Sequence, residues 1–574
     1  MLHSEFLLNQ RPGVADARGA KAWLRDLPLT DSRAAHHAIS SLLSEFEHAP
    51  LTALARLEIL ETLRGPVAQI DADYATRYAA KALPLGLAER NALVHAQALW
   101  RALARTYLDC FEAGLGGAAG VAPHRALCLA RAGEYLCAGL VGRLRAGQEE
   151  DADLFDDLQR LTDLAAEHGC LDAPVRDSLH AQGATSVAAI FRRALLLHMA
   201  GSLIGTREGG SVAALAAAWE GKVAVTTMSL GAGRVGLPAA TPAMASEGAA
   251  AAAVAPAGDG ARVLRVVRAG SRAHVLDLTR IVKSLRRRLR KLRHGATVAE
   301  LRLPAGFSAA QTGHVLGQLS RLWGEDGNAR AQPRRAGLAA VPYEGARGLV
   351  LAHAVGDYGA MYALIGGEAF TVNENEDPTS RRRFDELFVF QHASLARNET
   401  RRREAARAFE DWHVVDESDG GFRIRRERAG ARFHLGQVIA MRLRVAGDDG
   451  PAVLAEIRWL AEPEPVAASG AAQPGRRHEP GALIAGVELL PGKPHAVAFK
   501  AAGLHAYGGA QYVPGFRLGS LHGAPALSLL LPPGWFRAGR MAEMRDAGLK
   551  YSVRLDSLVR RGVDFELVAA SLSP

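Results

Sequence analysis

The pattern of apolar residues changes on either side of residues 231–262, and this change limits the fold more than any other feature. Before it, from residue 15 to about 205, leucine and alanine recur at the i, i+3, i+4 spacing of helices, and β-branched residues are scarce. After it, short stretches alternate apolar and polar residues, which is typical of half-buried strands. We therefore expect a multidomain α+β protein.

These patterns divide the chain into five expected segments. An α-helical bundle comes first, followed by a flexible linker rich in Ala, Gly and Pro, which lack the large side chains of a core. A small α/β segment with a basic helix precedes a strand-rich segment, for which a family resemblance given below implies an antiparallel β-barrel, and a further β-rich segment. In that order the expected bounds are residues 1–210, 231–262, 263–345, 346–492 and 493–574. Residues 358–410 are an insertion in the barrel if the arginines at residues 330–335 belong to it. Locally, Thr30 and Asp31 predict a helix N-cap, and residues 298–303 predict a strand.

Charge and cysteine usage limit the class of protein. The chain has 574 residues and a formal charge of +9, which favours anionic partners such as nucleotides, nucleic acid or an anionic membrane surface. Its four cysteines form no C-x-x-C pair and predict buried thiols rather than a metal site. No apolar run approaches the roughly 20 residues that span a bilayer, and no signal-peptide pattern is present. We therefore expect a cytoplasmic protein without a membrane span.

The sequence carries no pattern typical of catalysis: there is no nucleophile elbow, Walker loop or H-E-x-x-H helix. Residues 231–236 match G-x-G-x-x-G, but the two prolines at Pro238 and Pro242 prevent the helix that a dinucleotide fingerprint needs. We expect neither catalytic residues, a metal nor a cofactor, and we do not expect an enzyme.

The segment that says most about function runs from a cluster of arginines to residues 416–421, which read D-x-S-x-x-G. Three stretches downstream have the pattern of barrel strands, at residues 436–441, 456–460 and 484–489. Together these features resemble the PilZ family over roughly residues 410–490. The resemblance implies a β-barrel whose usual ligand is the second messenger cyclic di-GMP.

The residue types of the hexamer suit such a ligand. A carboxylate accepts the N–H donors of a guanine edge, a hydroxyl serves a remaining donor or acceptor, and guanidinium groups bind phosphates and stack on guanine. Asp416 and Ser418 lie two residues apart, so in a strand both side chains point to one face. Gly421 lets the backbone approach the ligand closely. The resemblance therefore implies ligand contacts by Asp416, Ser418 and Gly421, together with arginines.

Three arginine clusters are candidates for the phosphate clamp. They are Arg397 with Arg401, Arg403 with Arg407, and Arg330 with Arg334 and Arg335. The first two clusters stand too close to Asp416 to leave room for a full first strand, which departs from the family. The third precedes an extended stretch at residues 341–353 that resembles that strand. The sequence leaves these alternatives open.

The sequence thus predicts a cyclic di-GMP sensor that passes ligand binding to a protein partner through a rearrangement of its domains. One alternative, favoured by the arginine spacing, is a ligand-free barrel that acts as a protein adaptor. Another is nucleic-acid binding by the basic helix Thr279–Arg293. Its leucines also fit a solvated helix packed on a core, and no aromatic platform accompanies it, which argues against nucleic acid. The residues identify neither the partner nor the oligomeric state.

Overall fold

The computed structural model describes much of the chain. The described residues are 14, 16–46, 51–118, 120–148, 152–177, 179, 183–201, 204–229, 252–253, 263–269, 272–304, 307, 309–324, 335–336, 351–367, 370, 410–418, 420–445, 448–463, 481–501, 512–519 and 527–573. They form two compact units. The first comprises residues 1–81 and 85–331, and the second comprises residues 82–84 and 332–574.

The first unit is built mainly from helices, as the sequence predicts. They are α1 (Ala17–Asp26), α2 (Ser32–Glu45), α3 (Ala53–Tyr78), α4 (Leu87–Leu115), α5 (Arg125–Ala146), α6 (Ala152–Glu167), α7 (Val187–Ala200), α8 (Gly209–Trp219), α9 (Thr279–Arg293) and α10 (Ala309–Trp323). The predicted N-cap is confirmed: Asp31 accepts hydrogen bonds from the backbone N–H groups of Arg33 and Ala34, both at 3.1 Å. None of these helices is both long and apolar enough to cross a bilayer.

Helices α4 and α5 pack against each other at the centre of this unit. Tyr107 and Phe111 of α4 and Leu129 of α5 are fully buried there. The cysteines behave as the sequence predicts. Cys110, Cys128 and Cys137 are buried free thiols and Cys170 is a half-buried one. They act as small apolar side chains in the core.

Short strands complete the first unit. Strands β1 (Val175–Arg176) and β2 (Ala184–Thr185) form a small pair, and a second sheet has the order β3-β6-β5-β4. Its strands are β3 (Ala224–Ser229), β4 (Ala252–Ala253), β5 (Leu264–Ala269) and β6 (Arg272–Asp277). Strand β4 comes from the segment expected to be a linker; the other residues of 231–262, including the G-x-G-x-x-G match, lie outside the described residues.

The strand predicted at residues 298–303 was wrong. Residues Ala299–Leu301 form a single 3₁₀ turn instead, and Arg302 follows it in the left-handed region with φ of 50°. The turn is held by Glu300, which accepts a 2.8 Å hydrogen bond from the backbone N–H of Thr297. This local hydrogen bond competes with strand formation.

The second unit contains two antiparallel rings of strands. Its elements are β7 (Arg335–Ala336), β8 (Leu351–Val355), α11 (Tyr358–Gly366), β9 (Glu410–Ser418), β10 (Gly421–Arg426), β11 (Val438–Val445), β12 (Asp448–Ala461), β13 (Leu483–Leu489), β14 (His495–Ala501), β15 (Val513–Leu518), β16 (Leu527–Leu531), β17 (Met541–Asp546), β18 (Leu549–Arg561) and β19 (Glu566–Ser573). The predicted fold class, multidomain α+β with a helical N-terminal part and a β-rich C-terminal part that contains an antiparallel barrel, is confirmed.

The first ring carries the D-x-S-x-x-G hexamer. Its neighbours run β9-β10-β13-β12-β11-β8, and β8 pairs again with β9, which closes the ring. Strand β7 lies on the same edge of β9 as β8, further along the strand. Of the extended stretch predicted at 341–353, residues 351–353 lie in β8, and residues 341–350 are outside the described residues.

The second ring is a closed barrel of β14-β15-β16-β19-β18-β17. Helix α11, from the segment expected as an insertion, packs against strands of both rings. Its Met361 is fully buried in an apolar cluster with Val438 of the first ring. The same cluster contains Phe516 of β15 and Phe565, which immediately precedes β19. Because this cluster is shared, the two rings are held by a common core.

Candidate functional site

Asp416 lies on β9 and is only 7% exposed. Its Cα partner on β10 is Arg423. The Nη1 atom of Arg423 is 4.0 Å from Oδ2 of Asp416, which is an ion pair rather than a short hydrogen bond. An ion pair therefore links β9 and β10, the two strands that the hexamer connects.

The pairing register extends this pair into a row across four strands. In order across β9, β10, β13 and β12, the row consists of Asp416, Arg423, Gly486 and Trp459. Residues directly opposite one another in an antiparallel sheet have their side chains on the same face. The guanidinium of Arg423 lies 5.7 Å from the centre of the Trp459 ring. Carboxylate, guanidinium and indole thus share one surface.

That surface is the outer face of the ring. The adjacent row of Phe422, Val487 and Ile457 points to the opposite face, and its members are 9%, 5% and 2% exposed. Since alternate residues of a strand face opposite sides, the buried row fills the interior. The row of Asp416 and Trp459 therefore lies on the outer face, where Arg423 and Trp459 are half-buried and Asp416 is buried.

Two glycines have a steric role at this surface. A Cβ atom at Gly486 would lie 1.9 Å from Nε1 of Trp459, so the indole covers a position that only glycine leaves open. A Cβ atom at Gly421 would lie 1.9 Å from the carbonyl oxygen of Val487 on the neighbouring strand. The hexamer's final glycine is therefore needed for the contact of β10 with β13.

A second row on the same outer face lies two residues further along β9, β10 and β13, and three residues further along β12, where the register shifts between Ile457 and Trp459. It consists of Ser418, Gly421, Glu488 and Glu456 on β9, β10, β13 and β12. The two rows are about 7 Å apart, from the rise per residue of a strand. The hexamer's Asp416 and Ser418 positions thus begin two parallel rows on one surface.

The three arginine clusters adjoin different parts of the strand β9 that carries Asp416. Arg335 pairs with Glu417, and Ala336 pairs with Asp416, so the end of the upstream cluster runs beside the hexamer. Strand β9 begins at Glu410, six residues or about 20 Å before Asp416. Only the backbone of Arg335 and of Ser418 is described, and the remaining predicted arginines lie outside the described residues: Arg330, Arg334, Arg397, Arg401, Arg403 and Arg407.

Arg423 and Trp459 were not among the predicted site residues. Arg423 comes two residues after Gly421. Because the chain reverses between Ser418 and Gly421, strand alternation places Arg423 opposite Asp416 on the same face. Trp459 is 43 residues from Asp416 in the chain (459 minus 416). Only the register of β13 between β10 and β12 brings it into the row, so no local pattern could have assigned it.

The basic helix α9 presents a second charged surface. Every exposed residue of α9 is an arginine or a lysine: Arg280, Lys283, Arg286, Arg287, Arg290, Lys291 and Arg293. Its opposite side is buried through Ile281 and Leu285, both 0% exposed. Of the leucines expected to pack on a core, Leu285 is buried, whereas Leu289 and Leu292 are only half-buried. The outward face carries charge of one sign only.

Comparison with known proteins identifies one family. Residues 18–226 match the model described as cyclic-di-GMP receptor FimW, N-terminal domain. This match covers slightly more than a third of the chain, from α1 to the beginning of β3, and does not include the hexamer or its barrel. No curated protein and no solved structure matches the chain. The helical unit is therefore similar to a domain of a cyclic di-GMP receptor.

Proposed function

We propose that this protein is a cyclic di-GMP receptor of the PilZ type that binds its ligand on the outer face of the first ring. The row of Asp416, Arg423 and Trp459 is the observation that carries the proposal. Similarity of the helical part to a domain of a cyclic di-GMP receptor supports it independently. The ligand serves as a signal, so we propose a regulator of bacterial cells that works in the cytoplasm and not an enzyme.

Each group of the row matches a part of the ligand. The Asp416 carboxylate can accept the N1–H and N2–H₂ donors of one guanine edge. The Trp459 ring offers a stacking surface for a base, and Arg423 offers charge to a phosphate and a plane for stacking. A cyclic dinucleotide, which has two bases and two phosphates close together, fits a surface that combines all three groups.

For the clamp on the phosphates we favour the upstream cluster, Arg330, Arg334 and Arg335. Its support is the pairing of β7 with the hexamer end of β9, where Ala336 stands in the row of Asp416. Arg335 pairs with Glu417, one residue outside that row, so Arg330 and Arg334 are the arginines that we place on the phosphates. The clusters at residues 397–407 precede Glu410 in the chain, and Glu410 is the end of β9 that lies about 20 Å from Asp416 along the strand.

Ligand binding would then be passed to a protein partner. Arginines that close on the ligand change the conformation of the chain segment that carries them, and such an ordering step can reposition neighbouring domains. The helical unit is the proposed output module. A ligand-free adaptor remains the competing proposal, and the departure of the arginine spacing from the family is what favours it.

Isothermal titration calorimetry of the purified full chain with cyclic di-GMP tests the proposal. We expect binding by the natural protein and a loss of at least 10-fold in affinity for Asp416→Ala, since a hydrogen bond to a charged group contributes about 1.5–3 kcal/mol. Asp556→Ala is the matched control, because Asp556 is an exposed aspartate on β18. Absence of heat with the natural protein would leave the adaptor as the function.

A second candidate function rests on α9. Seven exposed cations on one helix repel one another, which destabilises a helix unless an anionic partner compensates. Nucleic acid would meet this face through its phosphates, and the affinity for DNA or RNA would fall steeply and linearly in a log–log plot against salt. A flat salt series, or equal binding after Arg286→Ala, Arg287→Ala and Arg290→Ala are combined, would remove this candidate.

A further inference from the structure

An ion cluster joins the two rings beside the candidate ligand surface. Arg560 of β18 donates to Oε2 of Glu456 at 2.8 Å and to Oε1 of Glu488 at 3.0 Å. Arg458 donates to Oε1 of Glu456 at 3.0 Å, and its Nε lies 3.2 Å from Oε2 of Glu488. Each glutamate is therefore shared between two arginines. Three members belong to the first ring, and Arg560 alone comes from the second.

The position of the two glutamates gives this cluster a function. Glu488 is the Cα partner of both Gly421 and Glu456. Gly421 in turn is the partner of Ser418. The glutamates therefore stand on the outer face, in the row about 7 Å from that of Asp416 and Arg423. Glu456 is 5% exposed, so its charge is little screened by water.

Two uncompensated carboxylates at this place would repel a ligand with two phosphodiester charges, since both lie within one Debye length of the row that would bind it. Arg458 and Arg560 together balance the two negative charges. Arg458 is part of the same strand as Trp459 and stays in place whatever the second ring does. Arg560 is supplied from β18, so half of the compensation depends on the second ring.

We propose that Arg560 is a positioning residue through which the second ring sets the affinity of the first ring for the anionic dinucleotide. It neutralises and orients Glu456 and Glu488, and it touches no ligand itself. This inference rests on the proposed function. By linkage, the ligand strengthens the contact of Arg560 with the glutamates by the same factor as that contact strengthens ligand binding. Ligand binding to the first ring is thus coupled to the second ring through the contact of Arg560 with the two glutamates.

Calorimetry with cyclic di-GMP on the full chain tests the inference with a set of charge variants. We expect Arg560→Ala to weaken binding about 10-fold at low salt and less at 0.5 M salt, because the repulsion that it exposes is screened. Adding Glu456→Gln and Glu488→Gln to Arg560→Ala should restore the affinity to within about three-fold. Arg554→Ala is the matched control, since Arg554 is an exposed arginine of the same strand that pairs with Asp556.

The outcomes separate the two proposals. If the natural protein binds and Arg560→Ala binds equally well, the second ring has no influence and the inference fails alone. If the triple variant stays as weak as Arg560→Ala, or salt leaves the deficit unchanged, Arg560 acts through structure and not through charge, which also overturns it. If the natural protein does not bind, the proposed function is lost and this inference with it. Thermal unfolding of each variant identifies any that fail to fold.

Discussion

Arg423 and Asp416 face each other on neighbouring strands, with Nη1 of the arginine 4.0 Å from Oδ2 of the aspartate. At this separation the two charges neutralise each other without a short hydrogen bond. The guanidinium also lies over the ring of Trp459, at 5.7 Å. A ligand that approaches the row therefore meets a carboxylate and a guanidinium already oriented by the sheet, and little rearrangement is needed before they bind it.

The stacking surface can be tested through Trp459. We expect Trp459→Ala to weaken cyclic di-GMP binding by about 10- to 100-fold, because stacking of a base on an aromatic ring contributes roughly 1–3 kcal/mol. Trp459→Phe should keep most of the affinity, since phenylalanine retains a stacking face. Calorimetry measures both. Equal affinities of the alanine variant and the natural protein would show that no base stacks there.

The location of the clamp can be tested by paired arginine variants. Arg330→Ala with Arg334→Ala should reduce the affinity for cyclic di-GMP by more than 10-fold, because charge-assisted bonds to the phosphates are lost. Arg403→Ala with Arg407→Ala removes the same amount of charge and should change the affinity less than three-fold. A reversed order in the same titrations would assign the clamp to the cluster directly before β9.

Gly421 should be intolerant of any side chain. In Gly421→Ala the new Cβ would collide with the carbonyl oxygen of Val487, 1.9 Å away, so β10 and β13 must separate. We expect a loss of roughly 3 kcal/mol in the free energy of unfolding of the second unit, measured by denaturant titration. Gly313→Ala in α10 of the first unit is the control for a tolerated glycine-to-alanine change and should not lower the free energy of unfolding of the first unit, because nothing lies within 4 Å of its added Cβ and alanine favours a helix. Similar stabilities of both variants would contradict the steric role.

The stability of the first unit should depend on pH through Asp177. Burial would raise the pKa of this carboxyl, but hydrogen bonds from Arg64 and the Leu179 backbone N–H and the charges of Arg64 and Arg131 lower it from 3.8 to about 2. Since the folded pKa lies below the unfolded value, the ionised group stabilises the fold above about pH 4, and this contribution is lost as the pH falls towards 2.

Asp177→Asn isolates that contribution. At pH 7 the substitution removes the carboxylate that lies 2.6 and 3.0 Å from the buried guanidiniums of Arg64 and Arg131. Glu61 remains as a counter-charge for both arginines, so we expect a loss at the lower end of the range for a broken buried ion pair, about 3 kcal/mol. As the pH falls to about 2, the folded pKa of Asp177, the natural carboxyl becomes about half protonated, so the difference in stability should narrow. Urea titrations followed by circular dichroism at several pH values measure this, and a difference that does not change with pH would rule out the assignment.

Local features of this protein could be predicted because they depend on neighbours in the chain. The helices follow from apolar spacing, and the N-cap of α2 follows from Asp31 and the backbone immediately after it. The turn at Gly421 is likewise encoded by a few adjacent residues. Where a local hydrogen bond competed with a weak strand pattern, as at Glu300, the prediction failed.

The sequence by itself determined the order of helices and strands and the residue types of the hexamer, since periodicity and turn chemistry act over a few residues. Only the tertiary structure decided which side chains meet at Asp416. Strand register brings Trp459 into its row, β7 beside it and Arg560 to the adjacent glutamates. Register depends on which strands pair over tens of residues, and a shift by one residue would turn each of these side chains to the other face.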